Sequence, residues 1–334
     1  MRFCPKVRTV TVIRHCRWYT ALMHTRPIFE FLGQHLRQTV PCALVTVVSV
    51  SGASTRNPGT HMAVTCDGRF VGSLSGGCIE VAVVAEAQAA IRACAPREIA
   101  FGAGAPYIDI RLPCGGRIDL LITPLSTVSP VDEALNCIRR RQPFTLHLSR
   151  TDAGVTVEQI QPRARLTFDE TTVSVGHLPD LRMTILGHGA SVLALAQQAK
   201  ALGVESAVVS PDRLTLAQAT DLGVSTRALK SLSETNVVDA DAWTAAVFLF
   251  HDHDWESGLL AQALASSAFY VGAMGSLKTH AARVEHLRAA GVGEADLARI
   301  VAPIGLIPSS RDPETLALSI LAQVVAGYHR VTQI

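Results

Sequence analysis

Two stretches of this chain pair a thiol with a double glycine. Ser75-Gly76-Gly77-Cys78-Ile79-Glu80 stands between a short apolar run, 69–74, and a long alanine-rich segment, 81–95; Cys114-Gly115-Gly116 lies further along. The first reads as strand, glycine turn and helix start. Paired glycines let a backbone approach a ligand closely. Free N–H groups at a helix N-terminus attract anions and lower the pKa of a nearby thiol. Glu80 in the same turn opposes a thiolate at Cys78, so its carboxylate is expected to point at a polar ligand or to set the cap geometry. Cys114, beside two glycines and followed by Arg117, is the better thiolate. The other six cysteines (4, 16, 42, 66, 94 and 137) read as small buried hydrophobes. Arg56 lies between Thr55 and Asn57 in a loop, 51–61, that also carries Gly59 and several small hydroxyls. Arg among hydroxyls is phosphate chemistry, so the loop and both thiol turns read as walls of one anion-holding site.

A second group of residues lies C-terminally. Gly187-His188-Gly189 follows an apolar strand and opens a helix, the context of a dinucleotide fingerprint. The third glycine of that fingerprint is Val192, and Ser210-Pro211 stands where an acidic ribose clamp belongs. A hydroxyl near Arg213 suits a phosphate better than a bare ribose diol. His251-Asp252-His253-Asp254 follows another strand and reads as a polar loop, a metal site or a proton-transfer group. Gly272, Gly275 and Ser276 form a further anion-cradle candidate before a helix. A phosphate-bearing ligand is expected at this edge; use of NAD(P) by an oxidoreductase and metal chemistry at the histidines are the competing readings.

The elements that must position these residues follow from periodicity. Helices are expected from Pro27, over 81–95 and over 131–141. Strands are expected at 43–50, 62–65, 69–74, 98–101, 108–112 and 117–123, with Asp67-Gly68 as a hairpin turn. Residues 128–180 read as a connector with short strands and no nameable chemistry. From Arg182 strands and helices alternate, which predicts a parallel, doubly wound sheet. The fold class is therefore α/β: an N-terminal α+β domain over 26–127, the connector, and a Rossmann-like domain over 181–330. Residues 1–25 are basic and unpatterned and read as a non-native or disordered extension, with Met23 as an internal start.

Composition bounds the function. The 334 residues are 48% hydrophobic and 17% charged, enough for a large core and against disorder. A net charge of +2 gives no argument for nucleic acid. Only four of the 30 basic residues are Lys; Arg suits bidentate contacts to phosphate or carboxylate, and a genome rich in G and C accounts for the bias equally well. No C-x-x-C pair, secretory segment or membrane-length apolar run is present, so a cytoplasmic protein with reduced thiols is expected.

These motifs resemble the XdhC/CoxI family, the xanthine dehydrogenase accessory factors. TVVSVSGASTRNPGTHMAV, DGRFVGSLSGGCIEVAV and PCGGRIDLLI are similar to its N-terminal block. ILGHGASVLALAQQAKALG, FHDHDWESGLL, YVGAMGSLKTHAARVEHLRAAG, APIGL and ETLALSILAQVVA are similar to its Rossmann block. Departures are His188 within the usual Gly-Ala-Gly, Ser210 where an Asp is common, and Ile307-Pro308-Ser309 for Asp-Ile-Gly. The resemblance implies a chaperone, not a catalyst, for the molybdenum cofactor, an anionic pterin dithiolene phosphate sometimes extended to the cytosine dinucleotide form. It implies protection of that cargo while a cysteine desulfurase adds the sulfido ligand, delivery to an apo molybdenum hydroxylase, and a homodimer. Cys114 is then the choice for contact with molybdenum.

Overall fold

This computed structural model describes residues 25–52, 56–77, 79–105, 115–251 and 254–333. They divide into two compact units, the first ending at Pro179 and the second running from Asp180 to Gln333.

The first unit holds α1 (Thr25–Arg37), β1 (Cys42–Ser51), β2 (His61–Thr65), β3 (Phe70–Val71), α2 (Glu80–Ala93), β4 (Arg97–Gly102), β5 (Arg117–Leu125), α3 (Ser129–Arg139), β6 (Phe144–Ser149), β7 (Val155–Glu158), β8 (Leu166–Phe168) and β9 (Thr172–His177). Its first sheet is antiparallel in the order β3-β2-β1-β5-β4. β1 lies at the centre and is covered on both faces, which is why its first six residues form an unbroken buried run. Side chains alternate along it. Ala43, Val45 and Val47 meet Val83, Val84 and Ala87 of α2. Cys42 and Leu44 belong to the opposite core, with Phe29 and Leu32 of α1 and Leu135 of α3.

Three expectations are corrected here. The 69–74 strand is only Phe70–Val71, because Gly72 is left-handed and a Cβ there would lie 2.9 Å from the His61 carbonyl oxygen. The stretch read as a connector contains a second antiparallel sheet, β7-β6-β9-β8. Alternating burial explains it: Phe144, Leu146, Leu148, Val173 and Val175 face the core shared with α1 and α3. Cys42 and Cys137 are buried, but Cys66 and Cys94 are exposed. Cys66 lies in the hairpin turn, and Cys94 is the left-handed C-cap of α2, which puts its side chain outside the core.

The two sheets are joined by two buried histidines. His61 Nδ1 is 2.9 Å from Thr46 Oγ1, and His61 Nε2 is 3.3 Å from His177 Nε2. His177 stacks on Phe144 at 4.5 Å, and Phe29 stands edge-on to both imidazoles. An Nε2–Nε2 contact needs one ring to donate and the other to accept, so at least one must be neutral. Burial, reinforced by Arg165, pushes the pKa of His61 down to about 3; burial, His61 and Arg165 depress that of His177.

The second unit holds β10 (Arg182–Gly187), α4 (Ala190–Ala201), β11 (Glu205–Ser210), α5 (Arg213–Asp221), β12 (Ser225–Ala228), β13 (Thr244–Leu249), α6 (Glu256–Ala265), β14 (Tyr270–Ala273), α7 (Leu277–Ala289), α8 (Glu294–Leu297), β15 (Ile300–Val301) and α9 (Pro313–Val331). The six strands are parallel in the order β12-β11-β10-β13-β14-β15. Met183, Ile185, Ala245 and Val247 pack on α4 and α9, while Leu186, Ala246 and Phe248 pack on α6 and the elements beyond it. The strand order reverses between β10 and β13, and a crevice at the C-terminal ends of the strands follows from that reversal. Among the described residues no helix is long and apolar enough to cross a membrane.

The histidine pair makes the fold acid-sensitive. Both rings are neutral when folded and take up protons near pH 6.5 when unfolded, so stability falls as pH drops below about 6.5. At pH 5 the expected loss relative to pH 7 is about 2 kcal/mol for each histidine. Urea unfolding at the two pH values measures it; an unchanged midpoint would contradict the neutral pair.

Candidate functional site

Three loops meet at one end of the first sheet. The turn after β3 is built around the carboxylate of Glu80, the first residue of α2. Its Oε1 accepts from the backbone N–H groups of Leu74 (2.9 Å) and Ser75 (2.9 Å) and from Ser73 Oγ (3.0 Å). Its Oε2 accepts from the N–H groups of Gly77 (2.9 Å) and Ile79 (3.2 Å) and from Ser75 Oγ (2.9 Å). Burial pushes this carboxyl up, but the bonds from Ser75 and Leu74 outweigh it and hold the pKa at about 2. The anion this turn cradles is therefore Glu80 itself. That corrects the expectation of a ligand anion on these amides and assigns Glu80 to cap geometry. Gly76 N–H is also engaged, donating to Ser73 Oγ.

The two glycines still require glycine. Their φ values are +80° and +115°, both are exposed, and nothing lies within 4 Å of where a Cβ would stand. The turn thus presents bare backbone to solvent. Cys78 and Cys114 lie outside the described residues.

The Arg56 loop joins this turn to the next. Arg56 Nε donates to the carbonyl of Ser73 at 2.8 Å. At the other end of the loop, a Cβ on Gly52 would lie 3.0 Å from Gly116 Cα, so the two backbones touch. Gly116 is buried, and Gly115 (φ +65°) is exposed with open space above it. The β1–β5 register sets this meeting, because Ser51 pairs with Arg117. The flank of each thiol thereby lies against one end of the 51–61 loop. Gly59 is not at that surface: it is buried, with Val175 and Arg165 against it, and its N–H donates to the Val47 carbonyl at 2.8 Å.

In the second unit the glycine turns have separate jobs. Gly187 closes β10 against β13; a Cβ there would stand 2.5 Å from the Leu249 carbonyl oxygen. Gly189 is exposed and open, and its N–H donates to Thr215 Oγ1 at 3.0 Å. Val192, in the third fingerprint position, is a core residue of α4. Ser210 is fully buried and its Oγ accepts from Asp212 N–H. Asp212 caps α5, taking Thr215 N–H at 2.9 Å and Thr215 Oγ1 at 2.6 Å, so its carboxylate is engaged within the turn. His188 stands 6.0 Å, ring to ring, from exposed His251; Asp252 lies outside the described residues.

At the β14–α7 turn the cradle reading is corrected. Gly272 is small because Tyr270 and Ile304 leave no room for a Cβ, and Ser276 Oγ is the N-cap of α7, accepting from Thr279 N–H. Gly275 (φ +139°) packs beside Thr279 and Arg283. A buried ion pair that the sequence did not announce fixes this turn. Arg283 donates through Nε and Nη2 to Glu256 at 2.9 and 3.0 Å, and through Nη2 to the Met274 carbonyl at 2.7 Å. Its partners lie on different helices, so no local spacing could have revealed it. Among the described residues, no group of three or more His, Cys, Asp or Glu side chains could hold a metal ion.

An antiparallel unit with a glycine-walled end, followed by a six-stranded Rossmann-like unit, makes a two-part α/β protein. Family models agree. Residues 35–102 match the XdhC and CoxI family, and residues 183–324 match the XdhC Rossmann domain. The chain is 33% identical over 301 residues to the molybdenum cofactor insertion chaperone PaoD of Escherichia coli (strain K12), covering 90% of this chain and 88% of that one. It is 23% identical to the uncharacterized protein YqeB of the same organism, covering 89% of this chain and 46% of YqeB. A crystal structure titled as a xanthine dehydrogenase from Bacillus halodurans superposes with a TM-score of 0.72 at 20% identity, over 91% of this chain and 96% of that one, which bears on fold alone. The chain belongs to the XdhC and CoxI family.

Glu80→Gln places an amide NH2 among donors and orphans buried N–H groups. Each orphan costs about 1–3 kcal/mol, so a loss of roughly 3 kcal/mol or more in unfolding free energy is expected from urea titration. The wild-type contribution is present above the ordinary carboxylate pKa and fades as pH falls toward about 2. A change under about 1 kcal/mol would show that the carboxylate does not hold the turn.

Proposed function

We propose that this chain is a molybdenum cofactor chaperone that holds its cargo at the end of the first sheet. The carrying observation is the junction made by the Arg56 loop, with Ser73 on one side and Gly116 on the other. Three bare glycines, Gly76, Gly77 and Gly115, stand beside the two ends of that loop, next to both cysteines in the sequence. A bulky anionic cargo needs backbone that it can approach without side-chain interference, and such positions supply it. In this reading Cys114 contacts molybdenum, and Cys78 is a wall residue.

The similarity to PaoD supports insertion of the cofactor as the task, with this chain an accessory factor rather than a catalyst. On the same reading it protects the cofactor while a cysteine desulfurase supplies the terminal sulfido ligand. It then delivers the product to an apo molybdenum hydroxylase of the xanthine dehydrogenase type. We place this in the cytoplasm and expect a homodimer. The Rossmann crevice suits the nucleotide of the cytosine dinucleotide form. An NAD(P)-dependent oxidoreductase is not favoured, because the Asp212 carboxylate caps α5 and is not offered to a ribose diol.

The test is anaerobic purification from cells that make the cofactor, followed by molybdenum and pterin analysis. Near-stoichiometric molybdenum is expected with the wild type and most of it with Cys78→Ser. Cys114→Ala and Gly77→Val should each lower it at least tenfold, equivalent to about 1.4 kcal/mol. Neither metal nor pterin under any condition would end the proposal.

A further inference from the structure

A groove of about 530 Å³ runs along the first unit between its two sheets, lined by β1, β4 and β5 on one side and by β8 and β9 on the other. Its size is in the range of small-molecule sites. None of the glycines or cysteines singled out from sequence lines it. It starts one residue past Gly116, at Arg117, and continues through Asp119 to Leu120 on β5; Ile118 is buried in the core with α2. Asp119 is therefore five residues from Cys114, at most about 17 Å of extended chain.

The groove has the chemistry of a flat heterocycle site. Its floor includes Val48 and Val173, and Phe168 stands on the rim at 69% exposure. An aromatic ring this exposed offers a stacking face. Arg150 holds both oxygens of Glu98, through Nε at 2.5 Å and Nη2 at 3.1 Å. Arg117 donates only Nε to one oxygen of Asp119, at 2.8 Å, and reaches the Gly104 carbonyl with Nη1 at 3.5 Å. A carboxylate accepts several hydrogen bonds. Adjacent N–H donors on a heterocycle, such as the amino and ring N–H edge that guanine and pterin share, match it. An Arg fork beside it matches the adjacent oxygen and nitrogen acceptors on the other edge, as it does for guanine.

We propose that this groove binds the 2-amino-4-oxo-pteridine ring of the cargo, with Asp119 on its donor edge, Arg117 on its acceptor edge and Phe168 stacked on its face. The inference rests on the cofactor reading above and adds a place for the pterin. It assigns the Cys114 turn to the metal end and the groove to the ring end of one molecule.

The probe is 6-carboxypterin, a fluorescent pterin with its anionic substituent at the position where the cofactor's dithiolene side is attached. Titrated with the full chain, it should give saturable quenching. Asp119→Asn and Phe168→Ala should each weaken binding at least tenfold, since a bidentate base-edge contact or a stack is worth about 1–3 kcal/mol. Because Phe168 is exposed, its variant should melt with the wild type, which separates binding from folding. GMP carries the same edges on a purine and should displace the probe, whereas AMP, which lacks them, should not compete at equal concentration. No saturable quenching, binding unchanged in both variants, or equal displacement by AMP would overturn the groove assignment. Molybdenum co-purifying from cells while the probe fails would remove the groove and leave the chaperone reading. Groove binding of the probe with no co-purified cofactor would support the groove and remove the cargo.

Discussion

Six donors converge on one carboxylate. Glu80 gathers four backbone amides and two hydroxyls from Ser73 to Ile79, and the turn after β3 depends on this. Without the anion, the amides of a turn with two left-handed glycines would repel one another and point at nothing. With it, the turn has a single conformation before any cargo arrives. The Ser73 carbonyl is then in place to accept from Arg56, while the β1–β5 register brings the other end of that loop to Gly116. A preformed surface of this kind loses little conformational freedom on binding.

Much of the fold was legible in the sequence. β1 is a run of branched apolar residues, and the strand–helix rhythm after Arg182 announces a parallel sheet whose observed order reverses at β10 and β13. What was not legible depended on long-range partners. Phe144, Leu146, Val173 and Val175 alternate cleanly, but nothing local said that they would close over α1 and α3. Phe70–Val71 stopped short because Gly72 fits against the β2 backbone, a contact made across the hairpin. At the site, residue types were readable and their assignments were not. Glu80 looked available to a ligand because four of its six donors are backbone amides, which carry no side-chain signal. Gly272 and Ser276 looked like a cradle, and they serve packing and capping. The groove beside β5 was invisible, since its walls come from residues in the forties to the one-seventies.

The two units use glycine differently. In the first, Gly76, Gly77 and Gly115 leave open space above the backbone. In the second, Gly187 and Gly272 are small because a neighbouring carbonyl or ring occupies the space where a Cβ would stand. Counting glycines on a sheet edge cannot separate these cases; the surroundings of the missing side chain can. The same distinction lowers the standing of the Rossmann fingerprint as a sign of dinucleotide chemistry, because Gly189 N–H is already given to Thr215.

The pairing of Ser51 with Arg117 also bears on biosynthesis. The loop that unites both glycine turns is anchored at one end by a strand synthesised early and at the other by a strand synthesised much later. A nascent chain still attached to the ribosome, with β5 inside the exit tunnel, has the first turn but no partner for Gly52. The junction between the two glycine turns is therefore a property of the released first unit and not of any shorter intermediate.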